Sequence, residues 1–121
     1  MAASSVWPTE VRLNPGRDIL NIAFDNGDVF QLRAEYLRVE SPSAEVRGHG
    51  PGQETLQTGK RKVDILSVDP VGSYAIQPRF SDGHATGIYA WDYLHGLGRD
   101  HDKLWAEYLE KLVDAGASRD E

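Results

Sequence analysis

The feature that most constrains the fold is a phase relation across Asp25-Asn26-Gly27. Leu20, Ile22 and Phe24 alternate along the chain before this tripeptide, and Phe30 and Leu32 do so after it. Successive strand side chains point to opposite faces, so the loop length decides whether the two sets meet. A two-residue Asn-Gly loop would pair Phe24 with Val29 and send Phe30 and Leu32 to the other face. A three-residue loop with Gly27 left-handed pairs Ile22 with Phe30 and Leu20 with Leu32, all on one face. The sequence predicts the bulged, three-residue hairpin.

Other elements follow from the same patterning. Thr9 to Leu13 reads as a short strand, turned at Pro15-Gly16, and Ala34 to Leu37 as one helical turn. Val63 to Val68 is rich in β-branched and aliphatic residues, which predicts a strand buried on both faces. Asp69-Pro70-Val71-Gly72 then turns the chain into a strand with Tyr74, Ile76 and Phe80 inward. Pro78 lacks a ladder donor and requires an edge or a bulge. Trp91, Leu94 and Leu97 have helical spacing, with Gly98 as the stop. Leu104, Trp105, Tyr108, Leu109, Leu112 and Val113 form one apolar stripe, with Asp100 as N-cap and Gly116 as terminator. Residues 40–59 are rich in Ser, Pro, Gly, Gln and Thr and predict a long, mobile loop. Residues 117–121 are expected to fray.

The sum is one α+β domain over residues 1–121, with its core at about 7–115. It is a small antiparallel β-sheet with helices packed on one side, the C-terminal amphipathic helix covering its apolar face.

Composition narrows the function. Of 121 residues, 40% are apolar and 26% charged, a globular balance. The net charge of −6 opposes non-specific nucleic-acid binding, and the densest basic patch is Lys60-Arg61-Lys62. The chain has no cysteine, so disulfides, thiolate catalysis and cysteine-held zinc or iron–sulfur centres are excluded. The N-terminus lacks the basic and apolar regions of a secretory signal, and no apolar run reaches membrane-spanning length. A cytoplasmic protein with no membrane or nucleic-acid partner is the expectation.

Two segments carry a family likeness: Leu37-Arg38-Val39-Glu40-Ser41-Pro42-Ser43-Ala44-Glu45-Val46 and Phe80-Ser81-Asp82-Gly83-His84-Ala85-Thr86-Gly87-Ile88-Tyr89-Ala90-Trp91. Together they resemble the gamma-butyrobetaine hydroxylase-like N-terminal domain family, and the likeness extends over residues 7–97. In the hydroxylases this domain precedes a 2-oxoglutarate- and iron-dependent oxygenase. There it holds a structural zinc through a Cys-x-Cys-x-x-Cys segment and the histidine of Asp-Gly-His. Similar domains also occur alone in bacteria, and fused to P-loop carriers of iron–sulfur clusters in plastids. Carried over by position, the cysteines fall on Ser41, Ser43 and Val46, and the histidine on His84. The resemblance thus implies a family member whose zinc thiolates are replaced. No oxygenase activity is implied, because the chain has no His-x-Asp pair to begin a facial iron triad.

His84 admits two readings from sequence. It fixes its loop by hydrogen bonding, or it is one ligand of a weak iron or zinc site with Asp82 nearby and His49 from the loop. A lone imidazole without convergent partners favours the first. Asp92 and His95, three apart on one helix, offer a further ligand face. His101 has no partner in sequence. Gly59-Lys60 fails as a P-loop, since Glu54 stands at the first glycine position and Arg61 at the Ser/Thr. Ser41 and Ser43 would need a base and an oxyanion hole to act as nucleophiles, and none is evident. Tyr89, Trp91 and Trp105 suit the core, and Trp7 an exposed contact.

These readings predict a non-enzymatic accessory or interaction domain without a resident cofactor, binding a protein partner. Its contact surface is drawn from residues 40–59 and 82–89, with Arg38, Arg47, His49 and Tyr89 as contact residues. The alternative is a metal-binding accessory protein linked to iron–sulfur or iron-enzyme assembly.

Overall fold

The hairpin closes in the expected phase. In a computed structural model, which describes residues 6–48, 50 and 52–120, Ile22 stands opposite Phe30 and Leu20 opposite Leu32. Gly27 has φ 95°, and its amide donates to the Phe24 carbonyl at 3.0 Å. Strands β1 (Pro8–Leu13), β2 (Ile19–Phe24) and β3 (Val29–Arg33) form one antiparallel sheet in that order. Helices α1 (Ala34–Val39) and α2 (Ala44–Arg47) follow. A second antiparallel sheet holds β4 (Ile65–Val71), β5 (Ala75–Phe80) and β6 (Tyr89–Ala90), before α3 (Trp91–Arg99) and α4 (His101–Ala115).

The α+β class holds, with the strands divided between two sheets rather than gathered in one. The second sheet also shows why its prolines are tolerated. Strand β6 pairs only with Ala75 and Ile76, so β5 is an edge by the time it reaches Pro78. Pro70 lies on β4, which is paired on one side alone. The turn therefore falls at Gly72, φ 53°, later than the sequence suggested. Strand β4 is also one-sided: Ile65 is fully buried while Leu66 is half exposed.

Between the sheets lies the main core. Leu20, Ile22, Phe24 and Leu32 meet Ile65, Ile76, Phe80 and Tyr89, with Tyr36, Leu37, Leu94 and Leu97 from α1 and α3. Helix α4 reaches this core through Leu104 and Trp105, and builds a second cluster of Tyr108 and Leu112 with Val39. It thus covers α1 rather than a sheet face. Tyr74 and Val113, both expected inside, are 56% and 77% exposed. Asp100 bonds Arg99 instead of capping α4, whereas Gly116 adopts the left-handed stop.

Residues 118–120 of the tail expected to fray make defined contacts, and Glu121 lies outside the described residues. Ser118 O accepts from Gly59 N at 3.0 Å, Arg119 O accepts from Arg61 N at 3.0 Å, and the Arg119 guanidinium grips Glu35. Backbone pairing and an ion pair hold what composition alone marks as loose. The described residues of the 40–59 segment make regular contacts of their own. They contain α2, capped by Ser43, and Thr55 N donates to Val46 O at 2.8 Å.

Gly98 packs its α-carbon against Phe30; a methyl there would lie 2.4 Å from the ring. Gly98→Ala is expected to cost about 1–3 kcal/mol by overpacking. At Gly96 the nearest atom to such a methyl is the far end of Arg99, 3.7 Å away. Gly96→Ala is expected to be neutral or stabilising by up to about 1 kcal/mol. Urea denaturation of both variants checks the contrast, and equal stabilities would contradict it.

Candidate functional site

The two sequence segments that carry the family likeness meet at His84. The turn after β5 places the ring: His84 N donates to Asp82 Oδ1 at 3.2 Å, and Phe80 N donates to His84 O at 2.9 Å. From the other segment, α1 ends and delivers Ser41 beneath the imidazole. Ser41 Oγ lies 2.9 Å from His84 Nε2, and Glu45 Oε1 lies 2.9 Å from Nδ1. A carboxylate can only accept, so Nδ1 carries the proton and Ser41 donates to Nε2. Ser41 Oγ in turn accepts from Ser43 N at 3.2 Å. Ser43 Oγ pairs with Thr86 Oγ1 at 2.7 Å and caps α2 through Glu45 N.

This Ser–His–Glu order has the connectivity of a hydrolytic triad, but Ser41 is fully buried. The backbone of Gly87 presses on it, since a methyl at Gly87 would lie 2.5 Å from Ser41 Oγ. A nucleophile needs an open side for the substrate. Here that side is filled by protein.

Asp82 anchors the cluster from below. Its Oδ2 accepts from Arg38 Nε at 2.9 Å and Lys60 Nζ at 2.7 Å. Burial alone would raise its pKa; the Lys60 hydrogen bond, the His84 amide and Arg38 outweigh that and bring it down to about 2. Arg38 is buried, and its Nη1 has no partner among the described residues. Lys60, from the densest basic patch, is thereby half of a partly buried ion pair.

The expected contact residues separate. Arg38 and Tyr89 are buried, and Tyr89 donates to Leu37 O at 2.5 Å, with burial pushing its hydroxyl pKa up. They serve the interior and offer no surface to a partner. Arg47 remains partly exposed, with its guanidinium on Ser41 O, Glu40 O and the Tyr93 hydroxyl. Val46 is buried, and His49 lies outside the described residues. His95 meets Asp28, 2.7 Å off, rather than Asp92, and His101 packs edge-on against Tyr36 and meets Asp102. Among the described residues no group of three or more His, Asp and Glu is arranged to hold a metal ion. The sequence reading missed Glu45 and Thr86; the Ser43-Ala44-Glu45 capping pattern was the available signal for the first.

A family model described as gamma-butyrobetaine hydroxylase-like, N-terminal, matches residues 11–95. The chain belongs to this family. Solved structures are also similar to it. Two NMR solution structures each share 45% identity at TM-score 0.81; they cover 94% and 98% of this chain, and each match covers 90% of the other chain. A crystal structure of a DUF971-family protein of unknown function from Acidithiobacillus ferrooxidans ATCC 23270 is 38% identical. That match covers 75% of this chain and 91% of the other, with TM-score 0.63. The comparison with curated proteins gave no match. The family match spans both segments that form the His84 cluster.

Burial, reinforced by the Arg38 charge, lowers the His84 pKa, although Glu45 and Asp82 pull the other way. The unfolded chain therefore takes up this proton first, near the ordinary value of about 6.5. Stability due to His84 is present above that pH and is lost as pH falls through the lower folded value. Urea denaturation between about pH 8 and pH 5 should show that loss, and His84→Gln should abolish it. At the upper end the same change should cost about 1–2 kcal/mol, since glutamine replaces one of two ring hydrogen bonds. An unchanged pH profile in the variant would contradict the assignment.

Proposed function

We propose that this chain is a non-enzymatic accessory or interaction domain in which the metal-ligand positions of similar domains are closed by hydrogen bonds. One observation carries the reading: Ser41, at a former thiolate position, is fully buried and spends its hydroxyl on His84 and the Ser43 amide. Zinc does not fit this donor set. Two hydroxyls, the hydrocarbon of Val46 and one imidazole with both nitrogens engaged lack the thiolate charge that such a site needs. What remains for function is surface. In the two segments expected to make contact, Glu45 and Ile88 are exposed and Arg47 partly so. The proposed setting is the cytoplasm and the proposed partner a protein.

The test is affinity purification of the tagged full chain from its host, paired with elemental analysis and with an Ile88→Asp variant. A partner retained by the wild type and lost by the variant is expected, with zinc and iron well below one per chain after a mild chelator. One tightly held metal per chain, weakened about tenfold or more by His84→Gln, would overturn the reading in favour of a metal-handling protein.

A further inference from the structure

A second polar site lies against α1 one turn before Arg38, and it shares no side chain with the His84 cluster. Glu35 sits in the first turn of α1 with its side chain 4% exposed. Both carboxylate oxygens are taken by Arg119: Nε meets Oε2 at 2.7 Å and Nη2 meets Oε1 at 2.6 Å. The guanidinium carbon lies 5.1 Å over the Trp105 ring. A carboxylate floor that accepts a fork and an indole wall that stacks on its face select arginine over lysine.

The walls belong to α1 and α4, whereas the occupant comes from the short segment beyond the Gly116 cap. Ala117 packs on the Tyr108–Leu112 cluster, and beyond it the holds are few. Two backbone hydrogen bonds join it to residues 59 and 61, and the Arg61–Asp120 ion pair is exposed on both sides. Exposed pairs of this kind contribute little. Arg119 therefore supplies the better-buried of the segment's two ion pairs. A vacated Glu35 would be a buried, unpaired carboxylate, a state that strongly favours capture of another guanidinium.

We propose that Glu35 and Trp105 form an arginine-recognition seat, filled in cis by Arg119 and taken over by an arginine side chain of a partner peptide when the tail lifts. The tethered Arg119 competes at a high effective concentration, so the seat discriminates against free arginine and admits a partner that also displaces the tail. This goes beyond the interaction reading above and stands on different residues.

The test titrates the full chain with acetyl-Ser-Arg-Asp-amide, the tail's own sequence, and with its lysine counterpart, by calorimetry and the Trp105 indole NMR shift. Arg119→Ala is expected to bind the arginine peptide at least about tenfold more tightly than wild type does, and more tightly than it binds the lysine peptide. Adding Glu35→Gln should abolish that gain. Binding to Arg119→Ala no tighter than to wild type, or equal for the two peptides, would overturn the proposal. If Arg119→Ala does not fold, Arg119→Lys replaces it, because a point charge holds the fork-shaped seat less well. Failure of that variant to bind the arginine peptide more tightly than wild type would be equally decisive.

Discussion

A six-residue helix buried along its whole length holds this structure together. Every residue of α1, Ala34–Val39, is buried, including a glutamate and an arginine. So short a helix has no stability of its own in water. Its polar groups are each answered by a different part of the chain. Glu35 meets Arg119, the Tyr36 hydroxyl donates to Leu97 O at 2.6 Å, Leu37 O accepts from Tyr89, and Arg38 meets Asp82. Just past its end, Glu40 O accepts from Arg47 and Tyr93. The tail, α3, β6, the His84 turn and α2 are all indexed to this one element.

Such an arrangement adds more definition than stability. Burying an ion costs several kcal/mol, and the attraction of its partner offsets this only with good geometry and further hydrogen bonds. Asp82 meets that condition by accepting from Arg38, Lys60 and the His84 amide together. The imidazole is therefore placed by α1 through Arg38, and α1 also delivers Ser41 to its other side. A small domain with two sheets that share no strand pairing depends on this kind of cross-linking. Its core supplies cohesion, while its buried polar pairs fix which segments meet.

Some of this was legible in the sequence because the controlling interactions are local. The phase across Asp25-Asn26-Gly27 set the hairpin register, and Gly116 marked the end of α4 through its left-handed backbone. Leu94 and Leu97 were placed inward by helical spacing alone. The motif containing Asp82, Gly83 and His84 identified the family, and the two segments that carry the likeness are the ones that meet at His84.

The rest depended on partners far along the chain. Tyr74 and Val113 fit their apolar patterns yet face solvent, because none of the described elements covers them. Tyr89 and Arg38 have the chemistry of surface contacts, but they are enclosed where α1 crosses β6 and the His84 turn. Composition marked residues 117–121 as loose, whereas Glu35, more than eighty positions earlier, ties Arg119 down. Glu45 and Ser41 became partners of one imidazole only when the second sheet brought its turn under α1. The sequence by itself determined periods, turns, caps and family, since each is set by backbone preferences over a few residues. Which polar groups are buried, paired or free was decided by tertiary structure, because desolvation and hydrogen bonding depend on what folds against them.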